Sequence, residues 1–177
     1  MGWYKQFTED ELAVLETRAK RVAEATHKAD GDAQTALVVQ VRSEFYALPI
    51  DLLTVVQEKI PVIPVPCVPP HVAGIANVRG HVIPVFDLGM LLDAPGTPGD
   101  SIQLVVVALN GITVALQIET VGEVLNYTLS STSAIPANLD TRRAQYLECV
   151  LENGATLLNV AAILNDPELV VSDTITS

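Results

Sequence analysis

Positive charge is what this sequence has least of. Ten Lys and Arg residues stand against 21 Asp and Glu, for a net charge of −11. Between Lys59 and Arg142 the only basic residue is Arg79. A groove that tracks phosphates needs clustered basic side chains, and so does an anionic bilayer surface, so nucleic acid and membrane surfaces both fail as partners. Cysteine is nearly absent. Cys67 and Cys149 lie far apart among apolar neighbours, which suits free, buried thiols better than a disulfide. No apolar run is long enough to span a bilayer, and Glu9, Asp10 and Glu11 follow Lys5 where a signal peptide would need its apolar stretch. These absences point to a cytoplasmic protein without membrane insertion.

The equipment of catalysis is missing as well. No Gly-rich phosphate loop and no nucleophile motif occur. Of three histidines, His27 sits in a polar stretch, leaving His71 and His81 to combine with Cys67 and Asp87 as a conceivable zinc site. Their spacing matches no ligand pattern, and His81 reads instead as a strand residue on a half-exposed face. Asp51 and Glu119 are related by an internal repeat, which places them at equivalent bends rather than on either side of one reacting atom. The expectation is no catalytic residue, no metal and no cofactor, with a small metal-dependent β-barrel enzyme using His71, His81 and Asp87 as the outside alternative.

What the sequence does have is apolar material, 49% of its 177 residues, enough for a sizeable core. Residues 8–25 read as an amphipathic helix. Thr8 and Glu11 have capping-box spacing, and Leu12, Leu15, Ala19 and Val22 form one stripe. That stripe serves either to pack on the body of the protein or to dock a partner. A polar linker, His27–Gln34, follows. From Thr35 the texture changes to short β-branched runs: Thr35–Arg42, Glu44–Leu48, Ile75–Val78, His81–Phe86, Ile102–Leu109, Ile112–Leu116, Tyr146–Leu151 and Thr156–Leu158. Asn110-Gly111 marks a two-residue hairpin turn. Many short strands with few helices indicate small barrels or a sandwich.

A repeat constrains the architecture further. Tyr46–Asp51 matches Val114–Glu119 at an offset of 68, and Val85–Leu92 resembles Leu157–Leu164 at an offset of 72. Each half therefore reads as a hairpin, an acid-bearing bend, more strands and a short helix begun by Asp87 or Asn159, both good N-caps. Between Lys59 and Pro70, prolines crowd out any central strand or helix interior, so this segment should run extended over a barrel face. Asp93–Asp100, with Pro95-Gly96 and Pro98-Gly99, should be an exposed turn region. Arg79-Gly80 reads as the turn between two strands. Its arginine either pairs with a carboxylate such as Glu58 or Asp51, or presents its planar fork to a partner.

Gly74–Leu88, with its Gly-x-hydrophobic-Asn-x-Arg-Gly turn running into Pro84, Asp87 and Leu88, closely resembles the signature of CheW-type coupling proteins. Tyr46–Ile50, Val68-Pro69-Pro70, Gly122–Leu125, Tyr146-Leu147 and Leu158–Leu164 resemble the family in the same order. The resemblance implies a mainly β fold of two tandem five-stranded SH3-like barrels with short helices, interleaved within residues 35–168. Residues 1–34 would be a helical extension with its linker and 169–177 a tail. It also implies an adaptor that couples chemoreceptors (methyl-accepting chemotaxis proteins) to the histidine kinase CheA and is recruited to receptor arrays at the inner face of the membrane. The partners would be the regulatory domain of CheA and the helical cytoplasmic tip of the receptors. Receptor contacts would fall near Val55, Val56, Asn77, Val78 and Arg79, and Gln57 and Gly80 complete the implied partner-binding set. The block that usually reads Val-x-Glu-Ile stands here as Val55-Val56-Gln57-Glu58, and Glu148-Cys149 replaces an expected Gly, which suggests a divergent member, for instance of a pilus-type or other non-flagellar kinase cluster.

Overall fold

The computed structural model describes residues 33–169, so the helix read over residues 8–25 lies outside them. Ten strands follow one another: β1 (Ala33–Val41), β2 (Glu44–Pro49), β3 (Leu53–Glu58), β4 (Val72–Val78), β5 (His81–Asp87), β6 (Gln103–Leu109), β7 (Ile112–Ile118), β8 (Thr120–Thr128), β9 (Leu147–Val150) and β10 (Thr156–Leu158). Three short helices accompany them: α1 (Leu88–Leu91) after β5, α2 (Thr141–Ala144) before β9, and α3 (Val160–Leu164) after β10. The strands form two five-stranded sheets, ordered β8-β1-β2-β10-β9 and β3-β6-β7-β5-β4. We call them barrel one and barrel two.

The two orders become identical when each strand is replaced by its repeat equivalent, β1 by β6, β2 by β7, and so on to β10 by β5. The chemistry of the repeat carries over with them. β10 joins β2 in parallel, and β5 joins β7 in parallel. Asp87 caps α1 by accepting from Met90 N–H at 2.9 Å, and Asn159 caps α3 by accepting from Ala162 N–H at 2.9 Å. A repeat unit is not itself a barrel, however. Barrel one takes its hairpin from the first repeat and its other three strands from the second, and barrel two does the reverse. The bends at Asp51 and Glu119 are therefore the two places where the chain crosses between barrels.

Burial explains why the hairpins had to be shared. Leu37, Val39, Val41, Tyr46 and Leu48 on one hairpin, and Val105, Val107, Val114, Leu116 and Ile118 on the other, meet in one central cluster that also receives α1 and α3. The opposite faces of the same hairpins fill the barrels. Ala36, Val38 and Ala47 enter the lumen of barrel one, and Leu104, Val106 and Ala115 that of barrel two. Strands buried on both faces lose the apolar–polar alternation, hence the near-continuous runs Ala36–Val39 and Leu104–Leu109. The central cluster holds 22 of the described buried residues against eight in each lumen, so the packing between the barrels is the main core of the protein.

Each barrel closes through an isolated bridge beyond its first-listed strand. In barrel one, Ser133 and Val150 exchange backbone hydrogen bonds of 2.8 Å. In barrel two the proline strap does this: Ile63 donates to Ile75 at 2.8 Å and accepts from it at 2.9 Å. The strap is extended where Ile63 meets Ile75 but turns at Pro66-Cys67, and it lies so close to β4 that a Cβ on Gly74, whose φ is +145°, would fall 2.1 Å from the Ile63 carbonyl oxygen. Cys67 departs from expectation. It turns out of the strap in a left-handed conformation and is exposed, because alternating prolines leave the strap little area to bury; Cys149 is buried in the lumen of barrel one, and burial raises its thiol pKa.

Candidate functional site

The turn between β4 and β5 is a two-residue hairpin. Val78 pairs with His81, and Arg79 and Gly80 both have positive φ, at 52° and 87°. Asn77 holds it by accepting from Gly80 N–H at 2.9 Å. Arg79 is exposed, and among the described residues it makes no ion pair or hydrogen bond. One carboxylate proposed for it from sequence, Glu58, instead accepts from Gln103 Nε2 at 2.9 Å, while Asp51 is the exposed residue of a half-buried 3-10 turn, Ile50–Leu52.

The other implied partner-binding residues divide by face. Val55 and Val78 point into the lumen of barrel two and are buried. Val56 is half-buried against the central cluster, and half-buried Gln57 leaves its Oε1 buried without a hydrogen-bond partner. Asn77, Arg79 and Gly80 are exposed. The structure therefore offers outward the turn and its flanks, with the two valines forming the floor beneath.

Sequence reading missed a feature of the same barrel. On its outer face Ile63 pairs with Ile75, and Ile75 pairs with Pro84; two positions along, Asn77 pairs with Val82. Side chains two apart on a strand share a face, so Ile63, Ile75, Pro84 and Val82 form one apolar stripe that ends at Asn77 and Arg79. Ile63 is 61% exposed and Val82 65%. Large apolar groups beside an exposed guanidinium have the composition usual at a protein interface. The stripe could not be read from the chain, because only barrel closure brings the strap residue Ile63 onto the β4–β5 hairpin.

The residues considered for metal do not converge. His81 and Asp87 stand at opposite ends of β5, about 20 Å apart at strand rise, Asp87 is committed to capping α1, and Cys67 faces out. His71 is buried and stacked on Phe86 with 6.2 Å between ring centroids. Burial, seconded by the charge of Arg142, lowers its pKa and holds it neutral. No group of three or more His, Cys, Asp or Glu able to hold a metal occurs among the described residues.

Other polar groups fix the frame. Glu119 accepts from the backbone N–H groups of Arg42 and, at 3.2 Å, Gly99, while Arg42 Nη1 donates to the Ala94 carbonyl at 2.6 Å. This ties the β1–β2 turn of barrel one to the loop after α1. Glu44 accepts from both Tyr46 and Arg143, and burial keeps the Tyr46 hydroxyl protonated well above its ordinary range. Asp166 likewise accepts from Tyr146, whose pKa rises to about 12, mainly through burial. These acids are structural acceptors.

Comparison with known proteins agrees with this geometry. A family model described as the CheW-like domain matches residues 35–168. The chain is 24% identical over 125 residues to the chemotaxis protein CheW of Bacillus subtilis (strain 168), covering 70% of this chain and 80% of that one. The crystal structure of the scaffolding protein TtCheW from Thermoanaerobacter tengcongensis is similar with a TM-score of 0.62 and 24% identity, over 71% of this chain and 86% of that one. No described helix is long and apolar enough to cross a membrane.

Proposed function

Because the chain belongs to the CheW-like domain family, we propose that it is a non-enzymatic adaptor that couples chemoreceptors to the histidine kinase CheA. The observation that carries this reading is the outward stripe of barrel two, Ile63, Ile75, Pro84 and Val82, running into the free Arg79. An exposed apolar patch bordered by a polar rim is the usual anatomy of a protein interface. Its curved barrel face suits another small barrel, such as the regulatory domain of CheA. The helical tip of the receptor lies against Val56, Gln57, Asn77, Arg79 and Gly80, with Val55 and Val78 supporting that surface from inside. Recognition there is helix-in-groove: apolar side chains supply affinity and the Arg79 fork sets register. Through these two contacts the protein joins receptor arrays at the inner face of the membrane.

The test is binding of the purified protein to the regulatory domain of the CheA from the same genome. Saturable binding in the micromolar range, roughly −8 kcal/mol, that is lost in Val82→Glu but kept in Arg79→Glu would support both assignments if Arg79→Glu also weakened receptor coupling. Failure to bind any CheA of that organism overturns the kinase assignment, and binding only to the kinase of a pilus-type cluster would move the adaptor to that system.

A further inference from the structure

Gln103, the first residue of β6, bonds to both barrels through the two ends of its side-chain amide. Its Nε2 donates to Glu58 Oε1 at 2.9 Å, and its Oε1 accepts from the Val121 N–H at 2.9 Å. Glu58 ends β3 of barrel two and lies directly across the ladder from Gln103. Val121 is the second residue of β8 and belongs to barrel one. The partners fix the orientation of the amide, because a carboxylate only accepts and a backbone N–H only donates. One side chain thus clips the end of one outer strand to the beginning of another, across the seam between the barrels.

Both strands are weakly held there. In their sheets β3 pairs only with β6 and β8 only with β1, and each ladder carries a register shift, between Leu53 and Val55 and between Leu37 and Val39. β3 ends at Glu58, immediately before Lys59 turns the chain at a φ of 56° into the strap. β8 starts just after the crossing at Glu119. Val56 and Val121, one from each strand, pack against the same central cluster. The repeat supplies a control. Thr35 and Asn126 are the equivalents of Gln103 and Glu58 at the offset of 68, and they too face each other across a ladder, joined at 2.9 Å. That shorter side chain bonds within its own barrel only, among the described residues. The glutamine adds the bond to the other barrel.

We propose that Gln103 is a positioning residue for the receptor-docking surface, holding the end of β3, and with it Val56 and Gln57, in place against barrel one. This rests on the receptor assignment made above. Without the clip, the strand that carries Val56 and Gln57 is anchored by β6 alone, and the part-buried Val121 N–H loses its acceptor. The outer stripe of barrel two lies on the strap and the β4–β5 hairpin, to which Gln103 makes no hydrogen bond. Receptor binding therefore depends on the clip and kinase binding does not.

Exchanging the two side chains tests it. Gln103→Glu keeps an acceptor for Val121 but sets two carboxylates directly opposite each other, an unfavourable pairing across strands. Binding to the helical cytoplasmic tip of a chemoreceptor from the same genome should weaken about tenfold, while binding to the regulatory domain of CheA stays within about twofold. Adding Glu58→Gln rebuilds the bridge with donor and acceptor exchanged and the net charge unchanged, and should restore receptor binding to within about twofold. Equal loss of both bindings, no loss in Gln103→Glu, or no rescue by the exchange overturns the positioning role. A wild-type protein that binds no receptor tip overturns the receptor assignment and the positioning role together. The bridge itself is then decided by hydrogen–deuterium exchange without any partner. In Gln103→Leu the Val121 amide should exchange about tenfold faster while that of Val105, on the same strand as residue 103, is unchanged. A Val121 amide that does not respond means that the bridge does not hold β8.

Discussion

The two barrels have one plan and two surfaces. Their strand orders, parallel joins and helix caps correspond element by element. The correspondence ends where the strands turn outward. Barrel two closes on a proline strap and presents Ile63 and Val82 beside Arg79, whereas barrel one closes on a single Ser133–Val150 bridge and leaves β8 nearly bare. Even the acids at the two crossings part ways, Asp51 being exposed while Glu119 is bound by backbone N–H groups. What lies in the shared core stays alike because both hairpins must fit each other and a lumen. What faces water is free to differ.

Substitutions should break this likeness to graded extents. The largest effect belongs to the shared core: Leu116→Ala, fully buried in the central cluster, should destabilise by about 3–5 kcal/mol. Because that cluster joins both barrels, chemical denaturation should still show one transition; two transitions would mean the barrels fold independently. Next comes closure. Gly74→Ala drives a Cβ into the Ile63 carbonyl and should cost about 2–3 kcal/mol, while Gly80→Ala, with open space around it, should cost only the strain of a positive φ, about 1 kcal/mol. Equal losses on urea titration would show that the strap does not press on β4.

The caps should be the most alike. Asp87→Ala and Asn159→Ala each remove one bond to a helix N–H and should lower stability by about 1 kcal/mol, so a large inequality in melting would break the equivalence of α1 and α3. Titration should then separate the barrels. His71, at the entry to β4 of barrel two, has a lowered pKa, so the unfolded chain takes up its proton first. Stability from this group is whole above about pH 6.5 and falls as the pH drops below it, and His71→Leu should flatten that slope. The buried tyrosines are on the side of barrel one. Tyr127 and Tyr146 have pKa values raised to about 12, so stability falls as the pH rises beyond about 10, where the unfolded chain ionises first. In a Tyr4→Phe background, which leaves only the three buried tyrosines, absorbance of tyrosinate should rise only as the fold opens; tyrosinate appearing in that intact protein near pH 10 would show these hydroxyls to be accessible.

Much of the fold was legible in the chain. Eight strands, the Asn110-Gly111 turn and both caps stand where local chemistry puts them. β3 and β8 were not legible, and for one reason: both are outer strands, with mixed exposure and no clean alternation, so neither period is strong in Leu53–Glu58 or Thr120–Thr128. Of the candidate site, the Arg79-Gly80 turn was readable because a positive φ has a sequence signature. The stripe at its side was not, since Ile63 reads as one apolar residue among prolines until it pairs with Ile75.

The sequence by itself determined the repeat unit: its two-face hairpin, its crossing bend and its capped helix. Each of these depends on contacts between residues near in the chain, where backbone sterics and side-chain hydrogen bonds act without knowledge of the rest. Only the tertiary structure decided which hairpin completes which barrel. A hairpin apolar on both faces cannot be satisfied by its own three strands alone, so each serves the other repeat's barrel and packs its second face on its twin. That choice, made over separations of 30 to 54 residues in barrel two and 80 to 110 in barrel one, left Ile63 beside Val82 on one barrel and β8 largely exposed on the other.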